Sequence, residues 1–222
     1  MTIDLKEHEV DIIPVKRRWL ITTVFACCCT SAYLLINYIS LREPILLWSS
    51  PVDEWLPFIA WSIWPYLLLL LTDYFFPLFI SSRALFRVTM RAYGIGAAIS
   101  FSFWALLPTT LPRHGFIPQG DSLSEVTYRI LTTLDPPNNC FPSGHIAIPT
   151  VLFWAFAVQW PKWRVLHWLI FAFLSVSILT TKQHYVLDLI GGVAAGGIGL
   201  WASHLWERRF ENRGSKRTPE PE

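Results

Sequence analysis

The chain has 222 residues, of which 53% are hydrophobic and only 15% charged, whereas soluble globular domains carry about 25% charged residues. Its net charge of +2 comes without a basic stripe interleaved with aromatics, which excludes nucleic acid as a partner. Four cysteines, three of them consecutive at Cys27, Cys28 and Cys29, exclude a disulfide framework and offer no CxxC metal spacing. In an apolar run they read as small lipid-facing or packing residues.

Residues 1–15 form a polar tail of mixed charge. After Lys16, Arg17 and Arg18 an apolar run covers 19–40, too long for the apolar core of a cleavable signal, so it is expected as a retained first span. Further apolar stretches follow at 57–79, 88–108, 145–161, 165–181 and 186–206. Each approaches the length that roughly 30 Å of hydrocarbon requires. Twelve tryptophans and seven tyrosines suit two interfacial belts. The expected architecture is therefore all-α: one integral membrane domain over 1–222, a bundle of six transmembrane helices, with polar tails at 1–15 and 213–222. The second tail reads as disordered.

Charge sets the expected orientation. With the N-terminus inside, Lys6, Lys16, Arg17, Arg18, Arg83, Arg87, Arg91, Lys162, Arg164 and the basic C-terminal group all lie on the inner side. Only Arg42, Arg113, Arg129 and Lys182 fall outside. The positive-inside rule then puts both termini in the cytoplasm. The connection 109–144 is the longest, lies outside, and is rich in proline, glycine and aspartate, a composition and length that suit a functional loop.

Two polar clusters open helices on that outer side. The first is Asn138-Asn139-Cys140-Phe141-Pro142-Ser143-Gly144-His145, before the fourth span. A helix N-terminus presents free N–H groups and partial positive charge, which suits a phosphate. Ser143 adds a hydroxyl, Gly144 admits close approach of an anion, and His145 can give a proton to a leaving oxygen. The plain alternative is a helix cap after Pro142. The second cluster, Lys182-Gln183-His184-Tyr185-Val186-Leu187-Asp188, opens the sixth span. His184 and Asp188 are spaced i, i+4 and share a helix face. The carboxylate can fix the imidazole tautomer and stabilise its cation, which makes the other ring nitrogen a nucleophile; the alternative is a structural polar pair. One span in, a turn at Pro161–Arg164 and one span back bring His145 and His184 to the same membrane face. Ionisable groups so placed are functional candidates.

Pro142-Ser143-Gly144-His145 and Ser177…His184…Asp188 resemble the PSGH and SRxxxxxHxxxD motifs of the type 2 phosphatidic acid phosphatase superfamily, which also includes vanadium haloperoxidases. The resemblance spans about residues 105–200, and the six-span layout matches. It implies two-step phosphoryl transfer on a lipid phosphate: His184 attacks phosphorus, Asp188 orients it, His145 protonates the leaving alcohol, and Ser143 with the Gly144 N–H holds phosphate oxygens. It implies no metal and no cofactor, and the sequence offers no metal cage.

The chain departs from the family pattern twice. Ile178 follows Ser177 where the family has arginine. The first motif, KxxxxxxRP, finds its nearest match in Leu111-Pro112-Arg113-His114, with no proline after Arg113 and Leu106 in place of the lysine. Since phosphate charge must be neutralised in the transition state, Arg113 and Lys182, with Arg129 behind them, are the expected substrate-binding cations. A degenerate first motif with a TKQHYVLD third motif is similar to inositol phosphorylceramide synthases and sphingomyelin synthases, which implies headgroup transfer as the alternative to hydrolysis. The third possibility is a non-catalytic membrane module. The bilayer is the partner in each case. The compartment is a plasma or inner membrane or an endomembrane, with the site on the periplasmic, extracellular or lumenal side; substrate lipid and oligomeric state stay open.

Four further features have expected roles. Asp73 reads as an interfacial partner of Arg83 or Arg87. His167 and His204 read as interfacial, and His114 as a possible substrate contact. Gly192, Ala195, Gly196 and Gly199 read as a small-residue face for close helix packing.

Overall fold

The computed structural model describes residues 11–39, 41–112 and 117–215. Eight α-helices run in chain order among them: α1 Val15–Tyr38, α2 Pro51–Trp55, α3 Ile63–Phe75, α4 Arg83–Leu106, α5 Leu123–Leu134, α6 Gly144–Gln159, α7 Arg164–Thr180 and α8 Val186–Ser215. Each of the six apolar stretches contains a helix. By length and composition three segments are able to cross a membrane: Val15–Tyr38, Pro161–Thr180 and Val186–Arg209.

The burial of α1 is the reverse of a soluble helix. Its buried residues are Arg18, Thr22 and Asn37, while Leu20, Val24, Leu34 and Leu35 point outward. Arg18 is held by backbone, donating to the carbonyls of Leu78 and Ile80. On α7, Val165, Leu169, Phe173 and Val176 are likewise exposed. Outward apolar faces of this extent suit an apolar surrounding.

Several boundaries differ from the apolar windows. α4 starts five residues before 88, because Ser82 caps it by accepting the Leu85 N–H; a hydropathy window does not register a polar first turn. Its arginines are engaged: Arg87 and Arg91 pair with Glu207 of α8, and Arg83 with Asp11. The expected pairing of Asp73 with Arg83 or Arg87 is thereby replaced. α3 is shorter than 57–79, bounded by 3₁₀ turns at Ala60–Ser62 and Phe76–Phe79. α8 continues to Ser215, so residues 213–215 of the expected disordered tail are helical. Part of the expected N-terminal tail is also built in: Ile13 is buried, and its N–H donates to Ser81.

Two short helices, α2 and α5, were not among the predicted elements. Both begin with a full capping box, Ser50 with Asp53 and Ser122 with Glu125, a serine-x-x-acid signal readable in the sequence. Departures from an all-α fold include a parallel pairing of Ile45–Leu46 with Thr109–Thr110 and isolated antiparallel bridges of Ile12 with Ser82 and of Thr110 with Asn138.

The helices close around α6 and α8. Val151, Leu152 and Phe156 of α6 pack with Leu85, Phe86 and Tyr93 of α4. From another face of α6, Ile146 and Phe153 pack with Tyr66, Phe171 and Ile178. The small face of α8 fits against these helices without room to spare. A Cβ on Gly192 would lie 2.6 Å from the Ser143 carbonyl oxygen, one on Gly196 2.5 Å from that of Ala147, and one on Gly199 2.5 Å from that of Ala92. Close backbone approach by small residues is how apolar helices gain contact in a membrane.

Candidate active site

The start of α8 is built by two carboxylates. The first N–H groups of a helix lack intrahelical acceptors. Asp188, in the first turn, folds back so that its Oδ2 accepts the Tyr185 N–H at 2.8 Å, the acidic half of a capping box. The same oxygen lies 3.2 Å from His184 Nδ1. Asp188 is fully buried, so the bond holds the ring in one orientation. Asp53, on α2, supplies the other acceptor: its Oδ1 takes the Val186 N–H at 2.8 Å, while Oδ2 takes the Ser50 N–H at 2.8 Å.

Lys182 ties the same two segments together. Its backbone is left-handed, with φ 54°, and its ammonium donates to the carbonyls of Asp53 at 2.7 Å and Leu56 at 2.6 Å. Burial pushes its pKa below the usual lysine value, and Asp53 draws it partly back. Burial raises the neighbouring Tyr185 phenol, and Asp53 raises it further. The Ile59 N–H donates to Thr180 at 2.9 Å, and the Thr180 hydroxyl to Ser62 at 2.8 Å. Residues 50–62 thus form a brace under the loop that carries His184.

The start of α6 is joined to that of α8. Ser143, the N-cap residue, donates its N–H to the Asp188 carbonyl at 3.1 Å. Its hydroxyl is buried and has no hydrogen-bond partner among the described residues. Gly144 lies against Trp104, whose ring would be 2.9 Å from an added Cβ, and Trp104 Nε1 donates to the Pro142 carbonyl at 3.1 Å. His145 follows. Its ring meets His184 edge to face with centroids 5.7 Å apart, and Tyr66 of α3 at 5.8 Å.

A cavity of about 500 Å³ opens beside the histidines, within the size range of small-molecule sites. Of the catalytic and substrate-binding residues expected from the sequence, Gly144, His145 and His184 line it. Ser143 and Asp188 stand behind that wall, fully buried. Neither Lys182 nor Arg129 lines it. Arg129 instead donates to the carbonyls of Pro118 and Gly120 and lies 3.7 Å from Asp121. Arg113 and His114 fall outside the described residues.

Sequence reasoning passed over three residues of the site. Asp53 stands far from either motif, and only its capping box announced it. Gln183 stands in the second cluster with no role assigned to it, yet it lines the cavity and is 1% exposed. Both ends of its amide lack partners among the described residues, leaving one donor group and one acceptor for a ligand. Asn139, left-handed with φ 59°, also lines the cavity and donates to Asn37 of α1 at 3.3 Å.

The arrangement can perform nucleophilic chemistry at one imidazole with a second imidazole at hand for proton transfer. Among the described residues no group of histidine, cysteine and carboxylate side chains could hold a metal. A family model described as the PAP2 superfamily matches residues 20–202. No curated protein matches the chain.

Proposed function

The chain belongs to the PAP2 superfamily, and on that premise we propose that it is a membrane lipid phosphatase working through a phosphohistidine on the extracytoplasmic face. Members of the superfamily are phosphatases or phosphotransferases, and this chain is a phosphoryl-transfer enzyme of that general kind. The observation that carries the finer reading is the line from Asp188 through His184 to the cavity. Nδ1 of His184 is turned to the carboxylate at 3.2 Å, which leaves Nε2 to reach phosphorus.

In the first half-reaction Nε2 attacks phosphorus, a P–N bond forms and the P–O bond to the lipid breaks. His145 gives its proton to the departing oxygen, and Asp188 stabilises the charge that develops on His184. In the second half a water oxygen attacks phosphorus, its proton passes to His145, and the P–N bond breaks to release inorganic phosphate. Gln183 and the Gly144 N–H hold the phosphate oxygens in this reading, with Ser143 behind them at the helix start. Arg113 supplies the compensating cation.

The proposed topology has six spans with both termini in the cytoplasm. It is supported by the six helices, the outward apolar faces of α1 and α7 and the positive-inside distribution of lysine and arginine.

A second reading, transfer of a phospho-headgroup to an alcohol, is favoured by one feature. Among the described residues no lysine or arginine lines the cavity. A phosphodiester carries a single negative charge and a monoester about −1.5 to −2 at neutral pH, so a cation-poor site suits the diester donor better.

The test uses purified protein and a His184→Ala variant with radiolabelled phosphatidate and phospholipids, with and without diacylglycerol, ceramide or inositol. Phosphate release without acceptor, absent in the variant, supports hydrolysis. A new phospholipid formed only with acceptor supports transfer. No turnover of any lipid, and no difference between the two proteins, would leave the fold as a non-catalytic module.

A further inference from the structure

The cavity does not end at the histidines. Its floor is formed by Cys29 and Thr30 of α1, Asp73 and Tyr74 of α3, and Ser100 of α4. Tyr66 touches His145, and Asp73 follows Tyr66 by two helical turns on the same face of α3. At 1.5 Å per residue Asp73 therefore sits about 10 Å further along the cavity. The walls between are apolar, with Leu34, Leu70, Ala97 and Phe101 among them. A hydrocarbon chain fits such walls and has no use for a carboxyl at their end.

The polar groups on the floor are not all occupied. Thr30 and Tyr74 bond each other at 3.1 Å. Asp73 Oδ1 and the Ser100 hydroxyl are buried without hydrogen-bond partners among the described residues, and Ser100 is only 1% exposed. A carboxyl group within an apolar bundle is costly unless a partner meets it, as is any buried polar atom left without a hydrogen bond. We infer that Asp73 and Ser100 form a second subsite, which receives a hydroxyl group carried on the hydrocarbon part of the lipid substrate about 10 Å from its phosphoester. A hydroxyl both donates and accepts, which matches a subsite made of a carboxyl oxygen and a serine hydroxyl. The inference rests on the lipid phosphate reading above and adds the chemistry of the chain.

The experiment measures equilibrium binding to the purified protein in lipid nanodiscs. The probes are radiolabelled hexadecyl phosphates, plain or bearing one hydroxyl at successive chain carbons. The wild type is expected to bind a mid-chain hydroxyl isomer about tenfold more tightly than the plain chain, the worth of one well-made hydrogen bond. Asp73→Leu and Ser100→Ala each remove that preference, and Asp73→Asn keeps most of it. Equal affinity of the wild type for all the probes, or a preference that survives Asp73→Leu, overturns the subsite. His184→Ala is expected to keep the preference while turnover is lost. A hydroxyl preference in a wild type that turns over no lipid phosphate would sustain the subsite and sink the phosphatase reading. Turnover with no preference would do the opposite.

Discussion

The Ser143 N–H donates to the Asp188 carbonyl at 3.1 Å, so the two helices that present His145 and His184 begin as one hydrogen-bonded unit. The glycine face of α8 makes this possible. A Cβ at Gly192 would come within 2.6 Å of the Ser143 carbonyl oxygen, whereas nothing lies within 4 Å of one at Gly197. Gly192→Ala should therefore separate the helix starts and lower kcat by at least about tenfold, with a destabilisation of about 1–3 kcal/mol, the usual range for overpacking. Gly197→Ala should leave both unchanged or raise stability slightly. Kinetics and thermal unfolding in one detergent compare the two; equal effects would mean that the close contact has no bearing on the site.

Asp188→Asn should leave the fold intact and reduce kcat by about 10³- to 10⁴-fold, because an amide can hold the wrong tautomer of His184. Rapid acid quench with a radiolabelled substrate should trap label on the wild-type protein and none on His184→Ala. Label persisting in that variant would assign the nucleophile elsewhere.

Lys182 offers a sharper choice. An ammonium that braces Asp53 and Leu56 stabilises the His184 loop, so Lys182→Met should lower the unfolding temperature and kcat together. A phosphate clamp would instead raise KM and leave unfolding unchanged. Asp53→Ala should behave like Lys182→Met, since it removes caps from both α2 and α8, at about 1 kcal/mol each.

Alkaline titration tests the same loop. The pKa of Lys182 is lowered in the fold from 10.5, so the unfolded chain binds more protons below that value. Stability from this group is present above pH 10.5 and is lost as the pH falls through the folded pKa. The phenol of Tyr185 is raised from 10.0, and its contribution is present below pH 10.0 and lost as the pH rises through the folded value. The two oppose each other near pH 10. Tyr185→Phe should therefore make the protein gain stability as the pH climbs towards 10.5, and Lys182→Met should make it lose stability above 10. Chemical unfolding across that range reads both slopes; parallel curves for the two variants would refute the assignment.

Gln183→Leu should fold as well as the wild type, because the amide has no partner to lose. Its kcat/KM should fall by about 10- to 100-fold if the amide meets a phosphate oxygen, in line with hydrogen bonds to charged groups. An unchanged kcat/KM would remove Gln183 from the proposed site.

The histidine pair was legible because it depends on spacing alone. The i, i+4 step joins His184 to Asp188, and a hairpin of two apolar helices returns His145 to the same end. The helices themselves were legible from apolar runs, though polar first turns such as Arg83 to Arg87 escape a hydropathy window. The brace was not. Asp53 and Lys182 meet through backbone carbonyls and helix-end N–H groups, which have no side-chain signature, and each is far from the other in sequence. The role expected for Lys182 came from charge, but burial and two carbonyl acceptors direct its ammonium towards α2. Asp73 looked like an interfacial partner for nearby arginines, and those arginines found Asp11 and Glu207 instead.

The brace also determines how the chain can be divided. A fragment beginning at residue 57 would contain every residue of both histidine clusters and would still lack the acceptor for the Val186 N–H. Motif content and competence therefore part company at the junction before α3. Supplying residues 1–56 as a separate polypeptide should restore what the cut removes, since the cut falls between α2 and α3 and interrupts no helix.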